Sequence, residues 1–74
     1  MQKINPSNCN WRDLVNLSVK CGFSIFEGKN HTKVKSRLGD LITTVPRHND
    51  ISKFTAKRIL GAMIKAGADI KILK

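Results

Sequence analysis

Histidine and lysine alternate along one short stretch of this 74-residue chain, His31-Thr32-Lys33-Val34-Lys35-Ser36. Side chains of a β-strand point to opposite faces with a period of two. As a strand, the stretch puts Thr32, Val34 and Ser36 on one side and His31, Lys33 and Lys35 on the other. Val34 is the residue suited to burial, so the His31 face is expected to meet solvent or an anion. A histidine exchanges protons near neutral pH, and lysines attract and neutralise phosphate. The other groups with chemical potential offer less. His48, just after Pro46, suits a loop before a helix. Asp40 and Asp50 suit turns, so no paired carboxylate site is visible. Cys9 and Cys21 form no CxxC pair and lack a second ligand at metal-binding spacing, so no metal is expected.

Three short strands position the histidine. Phe23 to Phe26 leads in, and Gly28, Lys29 and Asn30 turn the chain, Gly and Asn being tolerant of positive φ. The second strand is His31 to Ser36. Arg37 to Asp40 turns around Gly39, and Leu41 to Val45 is a Thr-, Ile- and Val-rich strand stopped by Pro46. A helix is predicted on each side. The first runs from about Asn8 to Cys21, capped by Asn8 or Asn10, with Asp13 at the positive end of its dipole. Trp11, Leu14, Val15, Ser18 and Val19 form its inward stripe, widened by Leu17, and Gly22 ends it. At this spacing Trp11 is a core residue rather than a base-stacking one. The second helix starts near Ile51 or Ser52 and runs to about Ala66 before Gly67. Ala56, Ile59, Leu60, Met63 and Ile64 form its apolar face, with Leu60 and Ile64 expected to be buried. Met1 to Ser7 is expected to be frayed. Ala68 to Lys74 suits either a docked strand or a helical turn.

The expected order is helix, three antiparallel strands, helix, as a single domain over residues 1–74. Two helices with one apolar face each need a sheet face to cover. Both on one side leave the His31, Lys33 and Lys35 face open. This α+β layout is the α-β-β-β-α sandwich of double-stranded-RNA-binding domains, and by itself it assigns no function.

Charge narrows the partners. Lysine and arginine number 14 against 5 acidic residues, a formal +9. Between Lys29 and Arg58, eight cations opposed by Asp40 and Asp50 leave +6. Such a field draws polyanions, nucleic acid first among them. No apolar run approaches the roughly 20 residues of a membrane span. With no signal peptide and two lone cysteines, reduced thiols in a cytoplasmic protein are expected.

Several segments carry a likeness. Cys21-Gly22-Phe23 ends a helix and opens a strand, and Lys29-Asn30-His31 leads from a turn into a histidine. Val45-Pro46-Arg47-His48 holds a Pro-x-His. Thr55-Ala56-Lys57-Arg58-Ile59-Leu60 is a helix start of the form T-x-x-x-I-L. Over nearly its whole length the chain resembles the HicA family of bacterial toxins, small mRNA interferases on a double-stranded-RNA-binding-like fold. The family's Gly-Ser-His is Lys29-Asn30-His31 here, with glycine displaced to position 28 and the histidine kept. The resemblance implies His31 as the catalytic residue, without metal or cofactor, and an acidic HicB-family antitoxin as partner. Lys29, Lys33, Lys35, Arg37 and Arg47 are the expected RNA-binding residues. RNA brings its own nucleophile, the 2′-OH, and a histidine can take that proton or give one to the leaving oxygen. The group that shares this work with His31 is left open, Lys29 and Lys33 being candidates. Two other readings use the same face: a non-catalytic RNA-binding module, and an interaction protein that docks an acidic partner.

Overall fold

The computed structural model describes residues 1–73. Its elements are β1 (Gln2–Ile4), a 3-10 turn (Pro6–Asn8), α1 (Trp11–Lys20), β2 (Ser24–Glu27), β3 (His31–Lys35), β4 (Leu41–Pro46), α2 (Lys53–Lys65) and β5 (Ile70–Ile72). β2, β3 and β4 form the expected antiparallel sheet in that order, so the α-β-β-β-α layout holds. β3 aligns Phe26 with Lys33 and Ile25 with Val34 on one side. On the other it aligns His31 with Pro46 and Thr32 with Val45, and a bulge lies between Val34 and Lys35.

Cap chemistry sets the helix ends. The Asn10 side chain accepts from the Asp13 N–H at 2.8 Å, and the Asp13 carboxylate accepts from the Asn10 N–H at 3.1 Å. This reciprocal pair satisfies two N-terminal donors. It starts α1 at Trp11, three residues later than expected, because Pro6–Asn8 form a separate 3-10 turn capped by Asn5. Ser52 caps α2 by accepting from the Thr55 N–H at 3.2 Å. At the far ends the Phe23 N–H reaches the Ser18 carbonyl and the Ala68 N–H the Met63 carbonyl, each at 3.0 Å. Both closures turn on glycines at positive φ, Gly22 at 88° and Gly67 at 104°.

The core joins Leu14 and Leu17 of α1, Val34 and Val45 of the sheet, and Ala56, Ile59, Leu60 and Met63 of α2, with Cys9 and Ile51 beside them. Both helices therefore cover one face of the sheet. Ser18 is buried inside this core, its hydroxyl donating to the Leu14 carbonyl at 2.8 Å.

Several expectations change. Val19 is 58% exposed and not part of the inward stripe. It lies five residues, about 140° of helical turn, from Leu14, while Leu17 faces the core. Leu60 is fully buried as expected, but Ile64 sits at the margin of its stripe and is 39% exposed. The first residues are not frayed: β1 pairs in parallel with β5, Gln2 with Ile70 and Ile4 with Ile72. The same pairing makes the tail a strand up to Ile72, and Lys74 lies outside the described residues. Gly28 and Asn30 do not take positive φ. Gly28 is needed for another reason: a Cβ there would stand 2.8 Å from the His31 carbonyl oxygen.

Candidate functional site

His31 opens β3 immediately after the Gly28–Asn30 turn. The period of two holds: Thr32 and Val34 are buried, while His31 and Lys33 are exposed. Gly28 closes the turn by donating its N–H to the His31 carbonyl at 2.9 Å.

The turn is fastened from outside the hairpin. Arg47, just beyond β4, donates through Nη2 to the Gly28 carbonyl at 2.6 Å and through Nη1 to the Lys29 carbonyl at 3.1 Å. Nη2 and Nε of the same guanidinium reach Glu27 Oε1 at 2.7 and 3.2 Å. Glu27 Oε1 also accepts from the buried Thr32 hydroxyl at 2.7 Å, and Thr32 in turn accepts from Trp11 Nε1 at 2.7 Å. A continuous chain of hydrogen bonds thus ties α1, through β3 and β2, to the backbone that presents His31. The hydrogen bond from Thr32 and those from Arg47 hold the Glu27 carboxyl below its ordinary range. Trp11 takes the core role expected of it, with its indole N–H finding a partner at the core's edge.

A cleft of about 330 Å³ between β4 and α2 is lined by His31, Thr43, Thr44, Pro46, Thr55, Arg58, Ile59 and Ala62. His31 therefore shares a concave wall with a guanidinium and three threonines rather than standing on a flat lysine field. Arg58 and Thr55 are three positions apart on α2 and so lie on one helix face. They lie inside the Thr55-to-Leu60 segment of the sequence likeness, but nothing local shows that this helix face meets His31.

The remaining expected site residues spread over two places. Lys29 lies at the turn beside His31, and Lys33 lies next along the outer face, both exposed. Lys35 lies further along that face, its ammonium 4.7 Å from the centre of the Phe26 ring. Arg37 follows β3 at its far end, roughly 20 Å from His31 by strand rise, and turns toward Gly22. Arg47, expected on RNA, is committed to Glu27 and the turn. His48 is a loop residue, as expected. Its backbone carbonyl accepts from the Trp11 N–H at 3.0 Å.

Both cysteines are free, Cys9 buried and Cys21 half-buried. Burial pushes both thiols up, away from the reactive thiolate. Among the described residues no three His, Cys, Asp or Glu side chains converge to hold a metal ion. No helix among them is long and apolar enough to cross a membrane.

No curated protein and no solved structure matches the chain significantly. A protein-family model does, the one described as HicA toxin of bacterial toxin-antitoxin, over residues 11–68. The matched stretch runs from the first residue of α1 to just past α2 and contains the turn, the clamp and the cleft. The chain belongs to the HicA toxin family of bacterial toxin–antitoxin systems.

Proposed function

We propose that this toxin is an mRNA interferase, an endoribonuclease in which His31 moves the proton at the scissile phosphate. The observation that carries this reading is the position of His31, exposed and lining a cleft with Arg58, Thr55 and Thr44. The 2′-oxygen of one nucleotide attacks its own 3′-phosphorus, forming the O2′–P bond and breaking the P–O5′ bond. His31 removes the proton from the 2′-OH or delivers one to the departing O5′, and water exchanges the other. Arg58 sits where it can take up the charge that builds on the non-bridging oxygens. The nucleophile is supplied by the substrate, so the step calls for no metal ion. Lys29, Lys33 and Lys35 attract the phosphate backbone, and Arg37 extends the same field at the far end of β3. Arg47 acts by holding the turn. The partner is an acidic HicB-like antitoxin, drawn to the same cations and neutralising by covering the His31 face. An enzyme with this substrate works in the cytoplasm.

The test is one substitution in three assays, with EDTA present. His31→Ala lowers cleavage of a single-stranded RNA by about 10²–10⁴ while the melting temperature and RNA affinity stay near those of the parent. The exposed imidazole fills no core space, so its removal opens no cavity. Parent protein that binds RNA without cutting it would reduce the reading to a non-catalytic RNA-binding module. Unchanged cleavage in the variant would remove His31 from the mechanism.

A further inference from the structure

The outer face of the sheet carries an aromatic ring that the His31 chemistry does not use. Phe26 of β2 is half exposed, at 51%, on the face that neither helix covers. The register places Phe26 directly opposite Lys33. Its diagonal neighbours on β3 are therefore His31 and Lys35, within reach of an aromatic side chain. Lys35 Nζ lies 4.7 Å from the ring centre. Lys35 thus borders the ring, with Lys33 opposite it in register and His31 one diagonal away on the same face.

We propose that Phe26 is a stacking platform for one base of single-stranded RNA, beside the nucleotide presented to His31. The inference rests on the RNA-cleaving reading and adds how the strand is seated. Lysines alone attract any polyanion and leave a flexible strand free to slide. A base laid on a ring fixes the distance from that nucleotide to the next phosphate, which a proton transfer at His31 requires. Stacking calls for an unpaired base, since bases within a duplex already stack on their neighbours. It accepts every base, because each has a π-face. The Lys35 ammonium over the ring makes a weak cation–π contact at the surface of a half-buried residue. It yields to a base and stays close enough to pair with that nucleotide's phosphate. Charge complementarity on this face thus favours a nucleic acid strand over an apolar protein segment.

The experiment measures binding in the His31→Ala background, so that RNA survives the assay. The probes are a labelled single-stranded oligoribonucleotide and inorganic polyphosphate, which carries charge but no bases. Phe26→Ala and Phe26→Leu should each weaken RNA binding by about 5- to 100-fold and leave polyphosphate binding unchanged. Phe26→Trp should bind RNA at least as well as the background protein, with indole fluorescence quenched by the oligonucleotide. If Phe26→Ala binds RNA as tightly as its background, the platform is refuted while the RNA reading stands. If both probes weaken together, Phe26 only holds the face in shape. If RNA binding is unchanged but antitoxin binding is lost, the ring is a protein dock. If the background protein binds no RNA, the reading beneath the proposal falls with it.

Discussion

The two turns of the sheet are built differently. The Ser36-to-Asp40 turn is closed by its own residues. The Ser36 N–H reaches the Asp40 carbonyl at 2.8 Å, and the Ser36 hydroxyl accepts from the Leu38 and Asp40 N–H groups at 3.2 Å. Gly39 supplies the positive φ, at 92°, and the Leu38 side chain stands 90% exposed. The Gly28–Asn30 turn has one short-range closure and is otherwise held by Arg47, 18 and 19 positions away. A turn that only reverses the chain can be left to local chemistry. A turn that aims His31 into a cleft has to be held against the rest of the fold, and here a charged network does so.

The largest difference should come from the glycines. A Cβ at Gly28 would press on the His31 carbonyl at 2.8 Å, and that backbone cannot move without moving the histidine. Gly28→Ala should lower RNA cleavage by about 10²-fold, the cost of misplacing a reacting group by about an ångström. Gly39→Ala meets nothing within 4 Å. Its cost is the strained backbone, about 1–2 kcal/mol of stability, and its cleavage rate should match the parent's. Equal activity losses in the two variants would erase the distinction between the turns.

Arg47→Ala is next in size. It strips the turn of its outside donors and leaves the Glu27 carboxylate without its cation. Cleavage should fall about tenfold, and the melting temperature only slightly, because an exposed ion pair contributes little to stability. Salt dependence separates holding from binding. A phosphate-contacting arginine would make the slope of log affinity against log salt shallower by about 0.7 on single-stranded RNA. Arg47→Ala should leave that slope unchanged, whereas Lys33→Ala should shift it by that amount. In the other turn, Ser36→Ala should cost under about 1 kcal/mol and nothing in cleavage.

The same contrast explains what could be read from the residues alone. The alternation of β3, Asn10 as one of two candidate caps and the glycine stops after both helices depend on neighbours a few positions away, so they are legible in the sequence. So is the sandwich, since two apolar helix stripes leave few ways to cover one sheet face. The β1–β5 pair was not legible, because Gln2–Ile4 has a single apolar residue and its partner strand lies at the other end of the chain. Arg47 resembled every other surface cation. Which cations are already paired depends on where Glu27 and two carbonyls end up in space. Arg58 entered the cleft for a similar reason: the helix stripe said which residues face the core, but not which strand end its other face meets. His31 is legible from its residue type and its place after a turn, whereas Gly28 is required by its close approach to the His31 carbonyl and not by a positive φ.

The smallest expected effect tests the clamp by acid. The Thr32 and Arg47 hydrogen bonds favour the charged form of Glu27, so its folded-state pKa lies below the unfolded value of about 4.3. A depressed carboxylate stabilises the folded state above the unfolded pKa, and that contribution is lost as pH falls through the lower, folded value. Between neutrality and the unfolded pKa the clamp should therefore be indifferent to pH. Below it, protonation removes the charge that Arg47 binds and weakens Glu27 Oε1 as the acceptor of the Thr32 hydrogen bond. Trp11 reports this directly, since its indole N–H donates to the Thr32 hydroxyl at 2.7 Å. The indole N–H resonance should move in a single step centred below pH about 4.3, together with the Lys29 amide, well before the core melts. Glu27→Gln should remove the step from both resonances. A step that survives in Glu27→Gln would mean that another carboxylate controls the Trp11 environment and that the chain from α1 to the turn is not coupled. The Ser36-to-Asp40 turn is closed only by backbone groups and a serine hydroxyl, none of which titrates in this range. Its hydrogen bonds should outlast those of the Glu27 clamp as the pH falls.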